Sequence, residues 1–136
     1  MTKRPLPFID KDIEPFWHAG RDGHLLIQTC TVCDYLIHPP TGYCPECGSR
    51  ETAFRAVSGH ATVLSFTVNH KAWMPDLTVP YVVALVSLDE QEDVRLATNI
   101  VDCDPEAVHI GMPVEVLFEQ QDDVWIPLFR PKGTGV

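Results

Sequence analysis

The sequence predicts a mainly β protein with a short N-terminal helix, a four-cysteine ribbon and a five-stranded barrel. Two Cys-x2-Cys pairs lie in the first half of the chain, which has 136 residues. After Gly48, short apolar runs with strand-like patterns are separated by turn-forming residues. Apolar residues at helical spacing occur before residue 24. A chain of this length supports one ordinary domain, or a small metal module followed by a compact domain.

The predicted helix has three large apolar residues on one face, at i, i+3 and i+4: Ile13, Phe16 and Trp17. Asp10 or Asp12 is expected to cap its start, and Gly20 is expected to end it. A helix this short does not persist alone in water. We therefore expect Phe16 and Trp17 to dock on the body of this protein or on a partner.

The four clustered cysteines predict one structural zinc ion: Cys30, Cys33, Cys44 and Cys47. Two such pairs ten residues apart are a strong signal, because four thiolates complete the tetrahedral shell that zinc prefers. Gly48 leaves the backbone after the second pair free to adopt a positive φ. His38 lies close by, but the shell is already full, so a structural role is expected for it. Iron in the same site is an alternative that metal analysis distinguishes.

Disulfides are the other interpretation of the cysteine pairs. The first five residues, Met-Thr-Lys-Arg-Pro, lack the apolar segment of an export signal. The longest apolar run, residues 79–88, is too short to span a bilayer. A cytoplasmic protein is therefore expected, and thiols there stay reduced. Cys103 stands apart from the pairs and is expected to be a small packing residue.

The charge of the chain bears on its partners. Its formal net charge is −9, from 10 Lys and Arg against 19 Asp and Glu. A field of that sign repels phosphate backbones and disfavours nucleic-acid binding. Single-stranded nucleic-acid binding stays open as the alternative function, because zinc ribbons and barrels of this kind also serve it.

The strand patterns predict one ribbon strand and then five barrel strands, at residues 24–28, 54–69, 81–88, 94–101, 114–119 and 124–130. Gly59 indicates a bulge or sharp bend inside the first barrel strand. Asp104 and Pro105 predict a capped helical turn between the third and fourth. This order fits a Greek-key barrel of the OB type, with an open β-sandwich as the alternative. The expected organisation is an N-terminal extension with a helix (1–23), a zinc ribbon (24–52) and the barrel (53–136).

No catalytic set is apparent, and we predict no catalytic residues. The sequence lacks a glycine-rich phosphate loop and a nucleophile elbow, and its six histidines do not pair at ligand spacing. A zinc ion bound by four thiolates has no open position at which to activate water.

The segment 70–80 joins the first two barrel strands and is too long for a tight hairpin. It carries Trp73 and Met74, and in an OB barrel this loop flanks the binding face. The alternative is that Trp73 folds back as a lid on the barrel. Three residues of the last strand are candidates for the same region: Trp125, Phe129 and Arg130.

Several motifs together resemble one known family: Phe16-Trp17, Gly23-His24-Leu25, the two cysteine pairs, Pro39-Pro40, Pro80-Tyr81-Val82-Val83-Ala84 and Pro127-Leu128-Phe129-Arg130-Pro131. The chain is similar over nearly its whole length to the OB-fold acyl-CoA-associated family with an N-terminal rubredoxin-like zinc ribbon. The resemblance implies an accessory subunit of thiolase-like or lipid-transfer-protein-like enzymes, including aldolases that shorten the side chains of sterol-derived acyl-CoA thioesters. Two features depart from the family pattern. Ala61 replaces a common glycine, and the turn after Leu88-Asp89 is longer and more acidic.

The function predicted from the sequence is therefore a non-catalytic subunit that binds such an enzyme in a hetero-oligomer and helps to form its acyl-CoA site. Phe16 and Trp17 are the candidates for docking. The candidates for the acyl-CoA or partner face are Phe66, Lys71, Trp73, Met74, Tyr81, Arg95 and Arg130. Lys71, Arg95 or Arg130 is expected to meet the phosphates of CoA.

Overall fold

The computed structural model describes residue 4 and residues 6–75 and 78–133. Its helix and strands are α1 (Glu14–His18), β1 (Leu25–Cys30), β2 (Leu36–Ile37), β3 (Thr52–Val57), β4 (His60–Asn69), β5 (Tyr81–Leu88), β6 (Arg95–Ile100), β7 (Pro113–Gln121) and β8 (Val124–Pro131). Short 3₁₀ helices span Ala19–Asp22 and Pro105–Ala107. In the described part of the chain, no helix has the length and apolarity needed to cross a membrane. The prediction of a mainly β fold is confirmed.

The last five strands form a closed barrel in the order β4-β5-β6-β8-β7, and β7 pairs with β4 to complete it. This is the OB arrangement, and the open sandwich is excluded. β5 has the predicted bounds, and β6 buries alternate residues because one of its faces meets the barrel interior. Asp104 caps the predicted turn, since its side chain accepts the N–H of Glu106 at 2.9 Å.

The ribbon is a three-stranded sheet in the order β2-β1-β3. The single strand predicted over residues 54–69 is wrong, because Gly59, at φ 81°, separates two strands there. A Cβ on Gly59 would lie 2.3 Å from Val116 Cγ1, and the Gly59 carbonyl accepts the N–H of Val116 at 2.9 Å. β3 therefore pairs with β1 in the ribbon, and β4 begins the barrel after two intervening residues.

The ribbon sheet, α1 and the barrel share one hydrophobic core. Leu25 and Ile27 of β1 are almost fully buried in the same cluster as Val63 and Phe129 of the barrel. Phe129 was predicted to lie near the exposed loop, but it is fully buried because its side chain fills the barrel interior. Ribbon and barrel are thus packed together as one body.

The start and end of α1 differ in detail from the prediction. Asp10 rather than Asp12 caps the turn before it, because Asp10 Oδ1 accepts the N–H groups of Asp12 and Ile13 at 2.9 and 3.2 Å. Gly20 does not end the helix, which continues as a 3₁₀ turn and ends at Gly23 with φ 78°. A Cβ on Gly20 would lie 2.5 Å from the side chain of Phe118, so this glycine permits close packing on the β7–β8 hairpin.

Candidate metal centre and partner surface

The two cysteine turns have the same backbone geometry. The N–H of Asp34 donates to the Cys30 carbonyl at 2.9 Å, and the N–H of Gly48 donates to the Cys44 carbonyl at 2.8 Å. Both residues lie in the left-handed region, at φ 64° for Asp34 and φ 79° for Gly48. The positive φ expected at Gly48 is confirmed. The positive φ of Asp34 was not predicted from the sequence. Asp34 follows the first cysteine pair as Gly48 follows the second, so its position was the available signal.

The four thiols converge on one point. Their sulfur atoms all lie within 4.8 Å of one another, with Cys30 to Cys47 and Cys33 to Cys44 at 3.6 Å each. Sulfurs about 2.3 Å from a tetrahedral zinc ion are separated by roughly 3.8 Å, so the cluster has nearly the right size. Cys30 and Cys44 are buried, and Cys33 and Cys47 are exposed. This is a rubredoxin-like ribbon whose four cysteines are positioned to bind a metal ion.

The first cysteine turn also stabilises the thiolate form of Cys30, the form that a metal requires. The N–H of Cys33 points at Cys30 Sγ at a distance of 3.5 Å. Hydrogen bonding from the Cys33 backbone lowers the pKa of Cys30 to about 7. This hydrogen bond favours charge on the Cys30 sulfur, whereas the pKa values of the neighbouring thiols Cys33 and Cys47 are raised, so the negative charge is concentrated on Cys30.

Two further side chains singled out in the sequence, His38 and Cys103, lie outside the metal cluster. His38 is outside the cysteine cluster in the part of the chain that the structure describes, and its ring packs 5.0 Å from that of Phe16. Cys103 is partly buried against the core. Burial raises the pKa of the Cys103 thiol, as expected of a packing residue.

The acidic turn between β5 and β6 fastens the barrel to the ribbon. Gln91 accepts the N–H of Leu36 at 2.9 Å and donates to its carbonyl at 2.8 Å. The hydroxyl of Tyr35 donates to Asp93 at 2.5 Å, and this bond raises the pKa of Tyr35 to about 12. The extra residues that depart from the family pattern thus hold β2, in the ribbon, against the barrel.

The loop after β4 leaves its large side chains in solvent. Trp73 is 67% exposed and Met74 is 43% exposed. Lys71 Nζ lies 4.4 Å from the centre of the Trp73 ring, which is a cation–π contact. Trp73 does not fold back as a lid on the barrel. At the base of the loop, the hydroxyl of Tyr81 accepts from Asn69 at 2.9 Å.

The remaining predicted face residues are not all brought together. Phe66 packs against the core. The guanidinium nitrogens of Arg130 lie 3.4 Å from a carboxylate oxygen of Glu115 and 4.0 Å from a carboxylate oxygen of Asp102. Arg95 pairs with Ser87, six residues along β5 from Tyr81, which places it roughly 20 Å from the Trp73 end of the barrel. Lys71, Trp73, Met74 and Tyr81 therefore form one local group, and Arg95 belongs to another region.

Phe16 and Trp17 lie at the wall of a cleft that the sequence did not reveal. Phe16 is buried in the core, and its ring meets that of Trp17 edge-on at 5.0 Å. The cleft has a volume of about 440 Å³ and lies between α1 and the Pro39-Pro40 segment on one side and β6 and β8 on the other. It depends on contacts between distant segments, so no local pattern could have predicted it.

Both halves of the chain match family models. Residues 17–53 match the model described as the ChsH2 rubredoxin-like zinc ribbon domain. Residues 54–119 match the model described as the ChsH2 C-terminal OB-fold domain.

Curated relatives are of two kinds. A "DUF35 domain-containing scaffold protein" of Methanocaldococcus jannaschii is 35% identical over 82% of this chain and 79% of its own length. A "probable enoyl-CoA hydratase alpha subunit" of Thermomonospora curvata is 40% identical over 94% of this chain, which spans only 40% of that protein. The "3-oxo-4,17-pregnadiene-20-carboxyl-CoA hydratase alpha subunit" of Mycobacterium tuberculosis is 36% identical over 82% of this chain and 35% of its own length.

A solved structure named "Ltp2-ChsH2(DUF35) aldolase" contains a chain of the same shape. The two chains are 38% identical and superpose with a TM-score of 0.84, over 93% of this chain and 98% of that one.

Proposed function

This chain belongs to the ChsH2 family of proteins that join a rubredoxin-like zinc ribbon to an OB-fold domain, and we propose that it is a non-catalytic accessory subunit of a thiolase-like acyl-CoA aldolase. In this proposal it binds a lipid-transfer-protein-like enzyme, stabilises it and helps to form its acyl-CoA site. The two proteins form a hetero-oligomer in the cytoplasm, where thiolates stay reduced and available to zinc.

The extent of the structural match carries the proposal. The similar chain in the aldolase is matched over 98% of its length, so the correspondence covers helix, ribbon and barrel together. The name of that structure pairs an Ltp2 component with a ChsH2 (DUF35) component. The scaffold name of the archaeal relative supports the same non-catalytic role. The hydratase relatives are much longer proteins, so their reaction is not assigned to this chain.

The acyl-CoA class follows from the same relatives. One name specifies a 3-oxo pregnadiene carboxyl-CoA, an apolar ring system with a ketone and a CoA thioester. We take a steroid-derived acyl-CoA as the proposed substrate of the assembled enzyme. The four thiolates leave zinc no open position, so the carbon–carbon cleavage is assigned to the partner subunit.

The loop after β4 is the proposed partner surface. Trp73 and Met74 are large, exposed and adjacent on a barrel loop, and Lys71 adds a cation beside them. Tryptophan is the residue type most enriched among the few side chains that dominate interface energies. Burying this pair against a partner would remove a sizeable apolar area from water.

Co-expression tests the accessory role. The chain is expressed with and without a tagged thiolase-like enzyme of the lipid-transfer-protein type, and acyl-CoA cleavage is assayed in both cases. We expect the two proteins to co-purify, and we expect cleavage to require both. Equal cleavage without this chain, together with no co-purification, contradicts the proposal.

Trp73→Ala tests the partner surface. Loss of an interface tryptophan is expected to weaken association by about 2 kcal/mol, or roughly 30-fold in Kd. Ile110→Ala is the matched control, because Ile110 is 68% exposed and apolar but lies in the turn before β7. Association is measured by surface plasmon resonance on the tagged enzyme. Equal losses from both variants would show that this loop has no special role.

A further inference from the structure

The cleft beside α1 has the size of a small-molecule site. Its volume of about 440 Å³ falls within the range of roughly 300–1,000 Å³ typical of sites for drug-sized ligands. Three separate segments form its walls: α1, the Pro39-Pro40 segment, and the paired strands β6 and β8. Within the described residues, it shares no lining residue with the loop proposed above as the partner surface.

The lining determines which part of a ligand fits. It is mostly apolar, and none of the described lining residues is charged. Phosphates would be buried there without a cation, at a large desolvation cost. The nucleotide of CoA is therefore excluded, whereas an uncharged apolar group is accepted.

One polar atom in this lining has no partner. Nδ1 of His38 is buried and makes no hydrogen bond within the described residues. Burial lowers the pKa of His38 to about 4, so the ring is neutral at pH 7 and offers one N–H and one lone pair. An unpaired buried nitrogen costs roughly 1–3 kcal/mol. The ring shields Nδ1 in this conformation, so the ring must rotate toward the cleft before a ligand oxygen can pair with the nitrogen and offset this cost.

We propose that this cleft binds an apolar ring system carrying a carbonyl or hydroxyl oxygen, with that oxygen hydrogen-bonded to His38. Under the proposed function, on which this identification rests, the ring system is the steroid part of the acyl group. The walls on several sides and the mostly apolar lining favour a small molecule over a protein surface.

Arg95 lies next to the cleft on the outer face of β6. Ala97 lines the cleft, and Arg95 precedes it by two residues on the same exposed face, about 7 Å away. Among the described residues the side chain of Arg95 makes no hydrogen bond or ion pair, although it helps to lower the pKa of nearby Asp93. Of the three cations predicted to meet CoA, Arg95 is thus the one beside the cleft.

The test uses the zinc-loaded full chain without an enzyme partner. Equilibrium dialysis measures binding of androst-4-ene-3,17-dione, an uncharged 3-oxo steroid that carries no CoA. We expect saturable binding with one steroid per chain. Ala97→Trp fills the cleft from an exposed position and should weaken binding at least tenfold. Thr67→Trp is the matched control, another exposed strand position, on β4 and outside the cleft, and should bind as the parent does.

His38→Phe tests the polar contact. Phenylalanine keeps an aromatic ring against Phe16 but removes the nitrogen, so affinity for the dione should fall about tenfold. In the parent, the ¹⁵N resonance of His38 Nδ1 should shift on saturation. Absence of saturable binding, or an Ala97→Trp variant that binds as the parent does, overturns the proposal.

The co-expression experiment separates this proposal from the accessory role. If the chain co-purifies with the enzyme but binds no steroid, the cleft assignment is wrong and the accessory role stands. If Ala97→Trp loses the enzyme partner and the parent binds no steroid, the cleft is a protein-docking surface and the proposal is overturned. Steroid binding without co-purification supports the cleft and contradicts the accessory role.

Discussion

At the scale of single residues, two glycines set how closely parts of the chain approach. Gly20 allows the segment after α1 to lie on Phe118, and Gly59 allows the turn after β3 to lie on Val116. Gly20 was interpreted from sequence as a helix end, because a glycine after an apolar helical run has that role most often. The actual reason is a contact with a residue almost one hundred positions later, which no local pattern contains.

Gly59→Ala should destabilise the protein strongly. The φ of 81° disfavours any side chain, and the new methyl group would lie 2.3 Å from Val116 Cγ1. Together these effects should lower the free energy of unfolding by about 3 kcal/mol. Gly42→Ala is the matched control, because the structure leaves open space around Gly42. Urea unfolding of both variants measures the difference, and similar midpoints would contradict the packing described here.

His38 should make stability depend on pH. Its pKa is about 4 in the folded state against 6.5 ordinarily, so the unfolded chain binds its proton first as pH falls. The contribution of neutral His38 to the free energy of unfolding is complete above the unfolded pKa of 6.5. It is lost progressively as the pH falls from 6.5 to the folded pKa of about 4. Between pH 7 and 5.5 the loss should be about 1 kcal/mol.

The matched variant for this pH effect is His38→Phe, which lacks the titrating group. Its free energy of unfolding should fall less over the same pH interval than that of the parent, by about 1 kcal/mol. Urea unfolding at both pH values measures the difference. Parallel pH profiles for the two proteins would show that His38 is not buried as described.

At the scale of elements, the strands with strong local patterns were predictable. β5 is apolar at nearly every position, and β6 alternates, so each carries its own signal. β2 has only two residues and carries none; it exists because Leu36 and Ile37 pair with β1 and because Gln91 holds Leu36. The metal ligands were predictable because zinc imposes a fixed spacing, whereas the cleft depends on tertiary packing alone.

Gln91→Ala should loosen the contact between the acidic turn and the ribbon. The amide side chain supplies both hydrogen bonds to the Leu36 backbone, at 2.9 and 2.8 Å. Their loss should lower the free energy of unfolding by about 1–3 kcal/mol and speed exchange of the Leu36 amide hydrogen. Glu92→Ala, one position later in the same exposed turn, is the control and should change neither. If the Leu36 amide hydrogen exchanges at the same rate in Gln91→Ala as in the parent, the turn does not hold β2 against the barrel.

At the scale of the whole molecule, the shared core joins the metal centre to the barrel. Cys30 ends β1, and Leu25 and Ile27 of the same strand lie in the barrel's core cluster. A disordered ribbon would therefore remove apolar contacts from the barrel as well. Zinc supplies roughly 10 kcal/mol or more of folding free energy to comparable small modules.

Removal of zinc should therefore destabilise the whole chain. Treatment with a chelator, or Cys44→Ser, is expected to lower the melting temperature of ribbon and barrel together, in one calorimetric transition. Cys103→Ser is the control, because that cysteine lies outside the metal cluster. A barrel that melts unchanged while the ribbon alone is lost would contradict the shared core. A Cys44→Ser protein that assembles fully with its partner but is inactive would place the metal closer to the chemistry.

The turn from β3 to β4, formed by Ser58 and Gly59, also determines where the far end of β4 lies. β4 has ten residues and extends up to about 33 Å from this corner to the loop that carries Trp73. A rotation of about 5° at the corner would swing the far end by roughly 3 Å, comparable to the length of a hydrogen bond. A protein that must position one end of a strand accurately needs a rigid turn at the other end. Here the Gly59 turn, the cysteine cluster and the Gln91 hydrogen bonds all stabilise the end of β4 that lies next to the ribbon.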